Sequence, residues 1–356
     1  MSAADPAASV PAVPVPAVPV PAVPAADPAG AAARGCRALG TDLPLVQAGM
    51  GGIASPALAA AVSDAGALGT VALYRSDGAQ STALIADTAR RTGRGFGVNV
   101  IPEVAGRVLA EQVRALLETA DRPLLLNSYG LPPERHARDV LAAGHRLLVQ
   151  VGTAADAAAA ADLGAHAIVL QGVAAGGHHL GSGSTADLLA AYDLAPPVFV
   201  AGAVATGADL VDALRAGANG ALCGTAFVAT AESAAHDAYK QALVGAGPGD
   251  TVVTERFSIG WPGRSHRVLR SPVTEAAEPP PATFVAWTTV MGARRPVPRG
   301  SAAAPTVEAD GRVDEMARYA GLGCGRVTAI EPAAAVVARF HAEYRQALAA
   351  CAAPAR

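Results

Sequence analysis

From Leu43 onward the chain repeats one order of positions: a short apolar run, a polar or glycine-rich turn, an Ala/Leu-rich stretch of helical length, a glycine, then another apolar run. Short apolar runs alternating with helical patterns are the punctuation of parallel βαβ units. The stretch Ser55-Pro56-Ala57-Leu58-Ala59-Ala60-Ala61-Val62-Ser63-Asp64-Ala65-Gly66 shows one unit in full. Ser55 can cap the helix, Pro56 fits its first turn, and Gly66 can close it. The same helix–glycine–strand junction recurs at Ala143-Gly144, Leu163-Gly164 and Ala216-Gly217. Apolar runs near 44–48, 68–73, 95–100, 122–127, 145–151, 166–171, 196–201 and 219–224 predict eight strands. Eight βα units argue for a closed (β/α)8 TIM barrel, with an open doubly wound sheet as the alternative.

The rhythm breaks over 232–315. A helix is predicted there from Ala234 to Val244, followed by a Pro/Gly-rich segment, so the interval reads as a small, mainly helical lobe inserted after strand eight, lining the substrate pocket. The helical run from Pro332 to Ala349 then supplies the eighth barrel helix. Residues 1–30 carry a repeated Val-Pro-Ala-Val-Pro tract. Its prolines remove backbone donors and fix φ, which predicts a disordered extension, dispensable rather than a docking arm. The expected organisation is an extension over 1–36, a barrel over 37–231 completed by 316–350, and a lobe over 232–315.

A chain of 356 residues, 51% hydrophobic, can bury a large core. Aromatic residues are only 4% of it, so that core must be built from small side chains in close contact. The 27 basic and 30 acidic residues include no basic block, and no nucleic-acid partner is expected. Cys36, Cys223, Cys324 and Cys351 lack the spacing of a zinc site and read as free thiols. No apolar run reaches the roughly 18 residues of a membrane helix, and the N-terminus lacks the order of a signal peptide. A cytoplasmic protein without membrane or metal partners is expected, its oligomeric state open.

In parallel α/β folds, ligands bind at the carboxyl ends of the strands. Five predicted strands end there on a carboxamide: Gln47, Asn99, Asn127, Gln150 and Gln171. Two of the five are expected to satisfy loop backbone. The others can match the edge of an isoalloxazine ring, which needs both donors and acceptors. Ala201-Gly202-Ala203-Val204-Ala205-Thr206-Gly207 follows strand seven, and Cys223-Gly224-Thr225 follows strand eight. Small residues at these two strand ends let backbone N–H groups approach a phosphate, and Thr225 can add a hydroxyl. There is no P-loop, and Gly321-Leu322-Gly323-Cys324-Gly325 has the wrong spacing for a Rossmann fingerprint. Gly172-Val173-Ala174-Ala175-Gly176-Gly177-His178-His179 follows strand six directly. A histidine there can act as a base near neutral pH, with His178 the first choice and His179 the second.

Taken in order, these motifs resemble the nitronate monooxygenase family, formerly the 2-nitropropane dioxygenases. Pro44-Leu45-Val46-Gln47-Ala48-Gly49-Met50-Gly51-Gly52 looks like that family's first strand and loop. Gly97-Val98-Asn99, the Gly-Gly-His loop, Ala201-Gly202, Gly224-Thr225, Ala235-His236-Asp237-Ala238-Tyr239-Lys240 and Arg318-Tyr319-Ala320-Gly321-Leu322-Gly323 follow in its order, so the resemblance covers roughly 41–345. It implies an FMN barrel that uses O2 to convert nitronates or nitroalkanes to carbonyl compounds and nitrite. By the same resemblance, His178 is the base, Gly49, Met50 and Gly51 run along the flavin, and Asn99 and Gln150 bond it. Gly202, Ala203, Gly224 and Thr225 hold the phosphate, with Gly176, Leu222 and Cys223 completing the cofactor set. Three positions depart from the family pattern. Gly49 stands where Pro is frequent, Gln150 where several members have Lys, and Ala203 at the second glycine of Ala-Gly-Gly, where a methyl requires a negative φ. An FMN-dependent enoyl-acyl-carrier-protein reductase using NAD(P)H shares the barrel and the histidine loop and is the main alternative. A tailoring flavoenzyme of a specialised pathway is a further one.

Overall fold

The computed structural model describes residues 27–290 and 292–352. Its centre is a sheet of eight parallel strands: β1 (Leu45–Gln47), β2 (Thr70–Ala72), β3 (Gly97–Val100), β4 (Leu125–Tyr129), β5 (Arg146–Val151), β6 (Ala167–Gln171), β7 (Val198–Ala201) and β8 (Gly220–Cys223). Strands β2 to β8 pair in sequence order, and β8 pairs with β1, Leu222 opposite Val46. A parallel bridge between Val46 and Leu68 joins β1 to the start of β2 and closes the barrel. All eight strands coincide with predicted apolar runs. Strand β4 extends two residues further than its run, which carries Tyr129 to the site.

The predicted punctuation is present atom by atom. Ser55 accepts a hydrogen bond from Leu58 N–H at 3.1 Å, and Pro56 opens the helix Pro56–Asp64. Gly66, Gly144, Gly164 and Gly217 all have positive φ, 99°, 80°, 80° and 105°. Only glycine enters that region without a Cβ penalty, which is why one residue type marks each helix-to-strand junction. Inside the barrel, Val46, Leu125, Leu148, Val169, Phe199 and Leu222 form a continuous apolar cluster. A second cluster, including Leu58, Leu210, Leu214, Val336 and Phe340, packs the closing helix Ala333–Ala352 against its neighbours, in agreement with its predicted place.

Two expectations need correction. The extension was placed over 1–36, of which residues 1–26 lie outside those described. Pro28–Leu39 is a helix, capped by Asp27, whose Leu39 packs into the inner barrel cluster. Gly35 touches the Asn219 backbone so closely that a Cβ there would overlap it, and Asn219 Nδ2 donates to Ala31 O at 3.2 Å. Small residues that read as low complexity are here the means of close helix-to-barrel contact.

The lobe is not mainly helical. After the helix Asp237–Val244 its regular structure is chiefly strand: Thr251–Thr254 pairs with His266–Leu269, and Phe284–Val290 pairs with Ala293–Pro298 and Asp310–Gly311. Runs such as Thr251-Val252-Val253-Thr254 are β-branched, and their side chains favour a pleated surface over a helix. The first of these sheets gains a third strand from Gly177–His178, with His266 opposite His178. The lobe is thereby stitched to the histidine loop. Among the described residues, no helix is long and apolar enough to cross a membrane.

Candidate active site

The loop after β6 places His178. Its backbone carbonyl accepts hydrogen bonds from the Tyr129 hydroxyl at 2.5 Å and from Gln171 Nε2 at 2.8 Å. Those two donors project from the ends of β4 and β6, and the lobe strand holds the other side through the His266 pairing. The imidazole stacks on Trp261, ring centres 4.0 Å apart and planes at 15°, with Tyr319 at 5.3 Å. Its Nε2 is buried and has no hydrogen-bond partner. Burial, then the neighbouring charges of His266, His179 and Arg264, pushes its pKa down to about 3. The imidazole is therefore neutral throughout the physiological range.

The adjacent histidines do structural work. His179 Nε2 lies 3.0 Å from Ala175 O and its Nδ1 lies 3.2 Å from Ser265 Oγ, so its ring bridges loop and lobe. His266 Nε2 accepts from Phe257 N–H at 3.2 Å, and its Nδ1 is 3.1 Å from Arg264 O. Of the three, His178 alone has a ring nitrogen that is buried and unpartnered.

The two glycine loops meet on one side of the same cleft. The N–H groups of Ala203 and Val204 make no hydrogen bond among the described residues. The short helix Thr225–Val228 begins immediately after Gly224; Phe227 and Val228 N–H donate to Gly224 O, which leaves the Thr225 and Ala226 N–H groups without a partner among the described residues. Thr225 Oγ1 accepts from Gly321 N–H at 3.0 Å and keeps its own proton for donation. Together these groups form a concave set of donors suited to an anion. Ala203 overturns the condition set for it, because its φ is +63°. A left-handed Ala costs about 1–2 kcal/mol. Cys223 donates its thiol to Val204 O at 3.1 Å and is fully buried, which pushes its pKa up and keeps it an inert thiol.

The five carboxamides divide by role. Gln47 donates to Ala48 O and accepts from Thr70 N–H at 2.8 Å, while Gln171 serves His178 O and accepts from Leu180 N–H at 3.0 Å. Both therefore satisfy backbone groups, and Asn99 does so as well, three of the five against the two expected. Gln150 lines the cleft. Asn99 does not: it lies under Gly49, whose Cβ would collide with its side chain, and its Nδ2 donates to Asn127 O at 3.0 Å. Asn99 Oδ1 and both polar atoms of Asn127 are buried without partners.

One cleft at the carboxyl end of the barrel, about 1200 Å³ including its open mouth, gathers the predicted residues: His178, Gly49, Met50, Gly51, Gln150, Gly176, Gly202, Ala203, Leu222, Cys223, Gly224 and Thr225. Its walls also include residues that sequence reasoning did not assign. Gly321 and Gly323, dismissed as a dinucleotide motif, close over the glycine loops, and a Cβ on Gly176 would stand 2.6 Å from Gly321 N. The available signal was the density of glycine at 321–325, which marks close backbone approach as readily as a phosphate turn. Tyr319, Ile101 and Ala302 join Tyr74, Tyr129 and Trp261 at the opposite end.

Comparison with known proteins identifies the family. A family model described as nitronate monooxygenase matches residues 36–106 and 109–343. A nitronate monooxygenase of Pseudomonas aeruginosa is 33% identical over 279 residues, 65% of this chain and 78% of that protein. Among solved structures, FabK from Thermotoga maritima superposes with a TM-score of 0.74 at 25% identity, covering 89% of this chain and 97% of that one. A nitroalkane oxidase from Streptomyces ansochromogenes gives 0.69 at 27% identity, covering 88% and 98%.

Proposed function

The chain belongs to the nitronate monooxygenase family, and from that premise we propose that this oxidoreductase binds FMN in the cleft and oxidises nitronates with O2 to carbonyl compounds and nitrite, His178 admitting neutral nitroalkanes as well. The observation that carries the proposal is the convergence of an unpartnered, neutral His178 and a set of backbone donors without protein partners on one cleft. FMN fits what is present. Unpartnered amides at Ala203 and Val204 and the start of the helix at Thr225 would hold its phosphate, and Gln150 would bond the edge of its ring. Gly49, Met50 and Gly51 would face the ring, where bulk is excluded: a Cβ on Gly51 would stand 2.5 Å from the Tyr74 ring. When bound, the flavin supplies the redox chemistry, accepting electrons from the substrate and passing them to oxygen.

The protein's own part is binding and proton transfer. A neutral nitroalkane must lose its α-proton before it can be oxidised, and the unpartnered Nε2 of His178 is the acceptor. An imidazolium is unfavourable in this dry site, as its low pKa shows. The nitronate anion forming beside it offsets that penalty, because an opposite charge at short range favours the charged form. Tyr129 and Gln171 fix the loop through the His178 carbonyl and leave the ring nitrogen available. A substrate supplied as nitronate needs no base. Nitrite release from a nitroalkane and its nitronate, with oxygen uptake by yellow protein, tests the proposal. Colourless protein that stays colourless after FMN is added would refute it.

A further inference from the structure

His178 Nε2 and Trp261 Nε1 are both buried without a hydrogen-bond partner, so packing aims the two stacked rings. The indole in turn is aimed by its backbone, the loop 257–264 that carries it from the lobe into the cleft. Gly260 and Gly263, at φ +90° and +74°, stand on either side of Trp261-Pro262. Glycine enters that region without a Cβ penalty, so the turn is tight but not stiff by itself.

One buried side chain closes this loop. The ring of His266 spans its two ends: Nε2 accepts from Phe257 N–H at 3.2 Å, and Nδ1 lies 3.1 Å from Arg264 O. A backbone N–H only donates and a carbonyl only accepts, so both bonds form together only in the neutral imidazole with its proton on Nδ1. At the rim, Arg264 Nε also meets both oxygens of Glu103, at 3.1 and 3.2 Å. That ion pair is partly exposed and holds the loop less firmly than the buried bonds. The His266 backbone pairs with His178, and their rings lie 4.9 Å apart. One residue therefore fixes both the strand of the base and the loop of its stacking partner.

We propose that His266 is a positioning residue for proton abstraction: it staples the loop 257–264, and Trp261, so held, keeps the His178 imidazole in place to receive the substrate proton. The kinetic consequence rests on the nitronate-oxidising reading of the site. Misplacing a catalytic group by about 1 Å costs on the order of 100-fold in rate. Only the step that uses the His178 ring is open to that loss, and a substrate supplied as nitronate bypasses it.

Three variants of the full-length holoenzyme test this. His266→Leu removes both bonds and keeps apolar bulk, His266→Gln offers an acceptor in place of Nε2, and His266→Asn a donor in place of Nδ1. The leucine variant should lower the ratio of nitroalkane to nitronate turnover by about tenfold or more, and the other two should recover part of it. Equal losses on both substrates, or none, would overturn the proposal. The second readout needs no turnover. The chain has two tryptophans, and Trp287 lies on the lobe strand Phe284–Val290, outside the cleft lining, so W287F leaves Trp261 as the sole indole. Trp261 is 6% exposed and should resist acrylamide quenching in W287F. Adding His266→Leu should raise the quenching constant severalfold and adding His266→Gln less, whereas an unchanged constant contradicts the staple. If the leucine protein does not fold, the glutamine and asparagine proteins, each lacking one bond, enter both assays against wild type, and wild-type values for both contradict the proposal. If no form oxidises a nitronate, the nitronate-oxidising reading fails, and the quenching series alone decides whether His266 holds Trp261.

Discussion

The imidazole of His178 and the indole of Trp261 stack with ring centres 4.0 Å apart and planes at 15°. One ring comes from a barrel loop and the other from the lobe, so the candidate base is held by packing rather than by a hydrogen bond to its ring. Its Nε2 therefore remains available.

Replacement of that ring should separate the two kinds of substrate. His178→Ala should retain the flavin and lose about 100-fold or more in turnover of a neutral nitroalkane, the usual scale for a general base. Turnover of the preformed nitronate should fall far less. Steady-state assays of both substrates check this, and an unchanged rate with the nitroalkane would remove His178 from the mechanism.

The same burial makes stability depend on pH. The pKa of His178 falls to about 3 and that of His266 to about 4, from ordinary values near 6.5. The folded protein therefore binds fewer protons than the unfolded chain between about pH 6.5 and 3. This contribution to stability is fully present above about 6.5 and is lost progressively as the pH falls through that window. Denaturation midpoints taken from pH 7 to 4 should decline, and the decline should be shallower in His178→Gln. Identical slopes for the two proteins would contradict the assignment.

Ala203 gives a test of backbone strain. Its φ of +63° should make Ala203→Gly stabilising by roughly 0.5–1 kcal/mol, the left-handed penalty less the extra entropy of an unfolded glycine. Ala203→Val, β-branched in the same conformation, should destabilise. Thermal unfolding of the three proteins measures both effects. A valine variant as stable as wild type would show that the loop adopts another conformation.

Gly176 tests the closure of the cleft. A methyl there would stand 2.6 Å from Gly321 N and 2.7 Å from the Ala320 carbonyl carbon, both backbone atoms with little room to move. Gly176→Ala should cost about 1–3 kcal/mol, as overpacking does, and weaken flavin retention. Flavin-to-protein ratios after gel filtration read the second effect directly, and full retention would place Gly176 outside the cofactor site.

The barrel was legible because each unit repeats the same local chemistry, and Gly66, Gly144, Gly164 and Gly217 mark junctions where only glycine is comfortable. The loops after β6, β7 and β8 were legible for a related reason: strand ends are where such barrels place their ligands, and small residues cluster there. The lobe was not. Its strands are short, and the pairing of His266 with His178 joins residues 88 positions apart, which no local pattern reveals. Gly321 was overlooked because its partner, Gly176, is even more distant in sequence. The helix at 28–39 was lost in a low-complexity composition whose small residues are what allow Gly35 to touch the barrel.

The central claim is that this cleft passes electrons from a nitronate to a bound flavin. Anaerobic mixing of the purified yellow protein with an alkyl nitronate, followed at the flavin absorbance band, tests it most directly. Bleaching by the nitronate, recovery of the band with nitrite release on admitting air, and no rapid bleaching by NADPH are the predicted results. Rapid bleaching by NADPH, reoxidation of the reduced flavin by a crotonyl thioester that is itself reduced to the saturated thioester, and no response to the nitronate would contradict the account and assign the barrel to enoyl reduction.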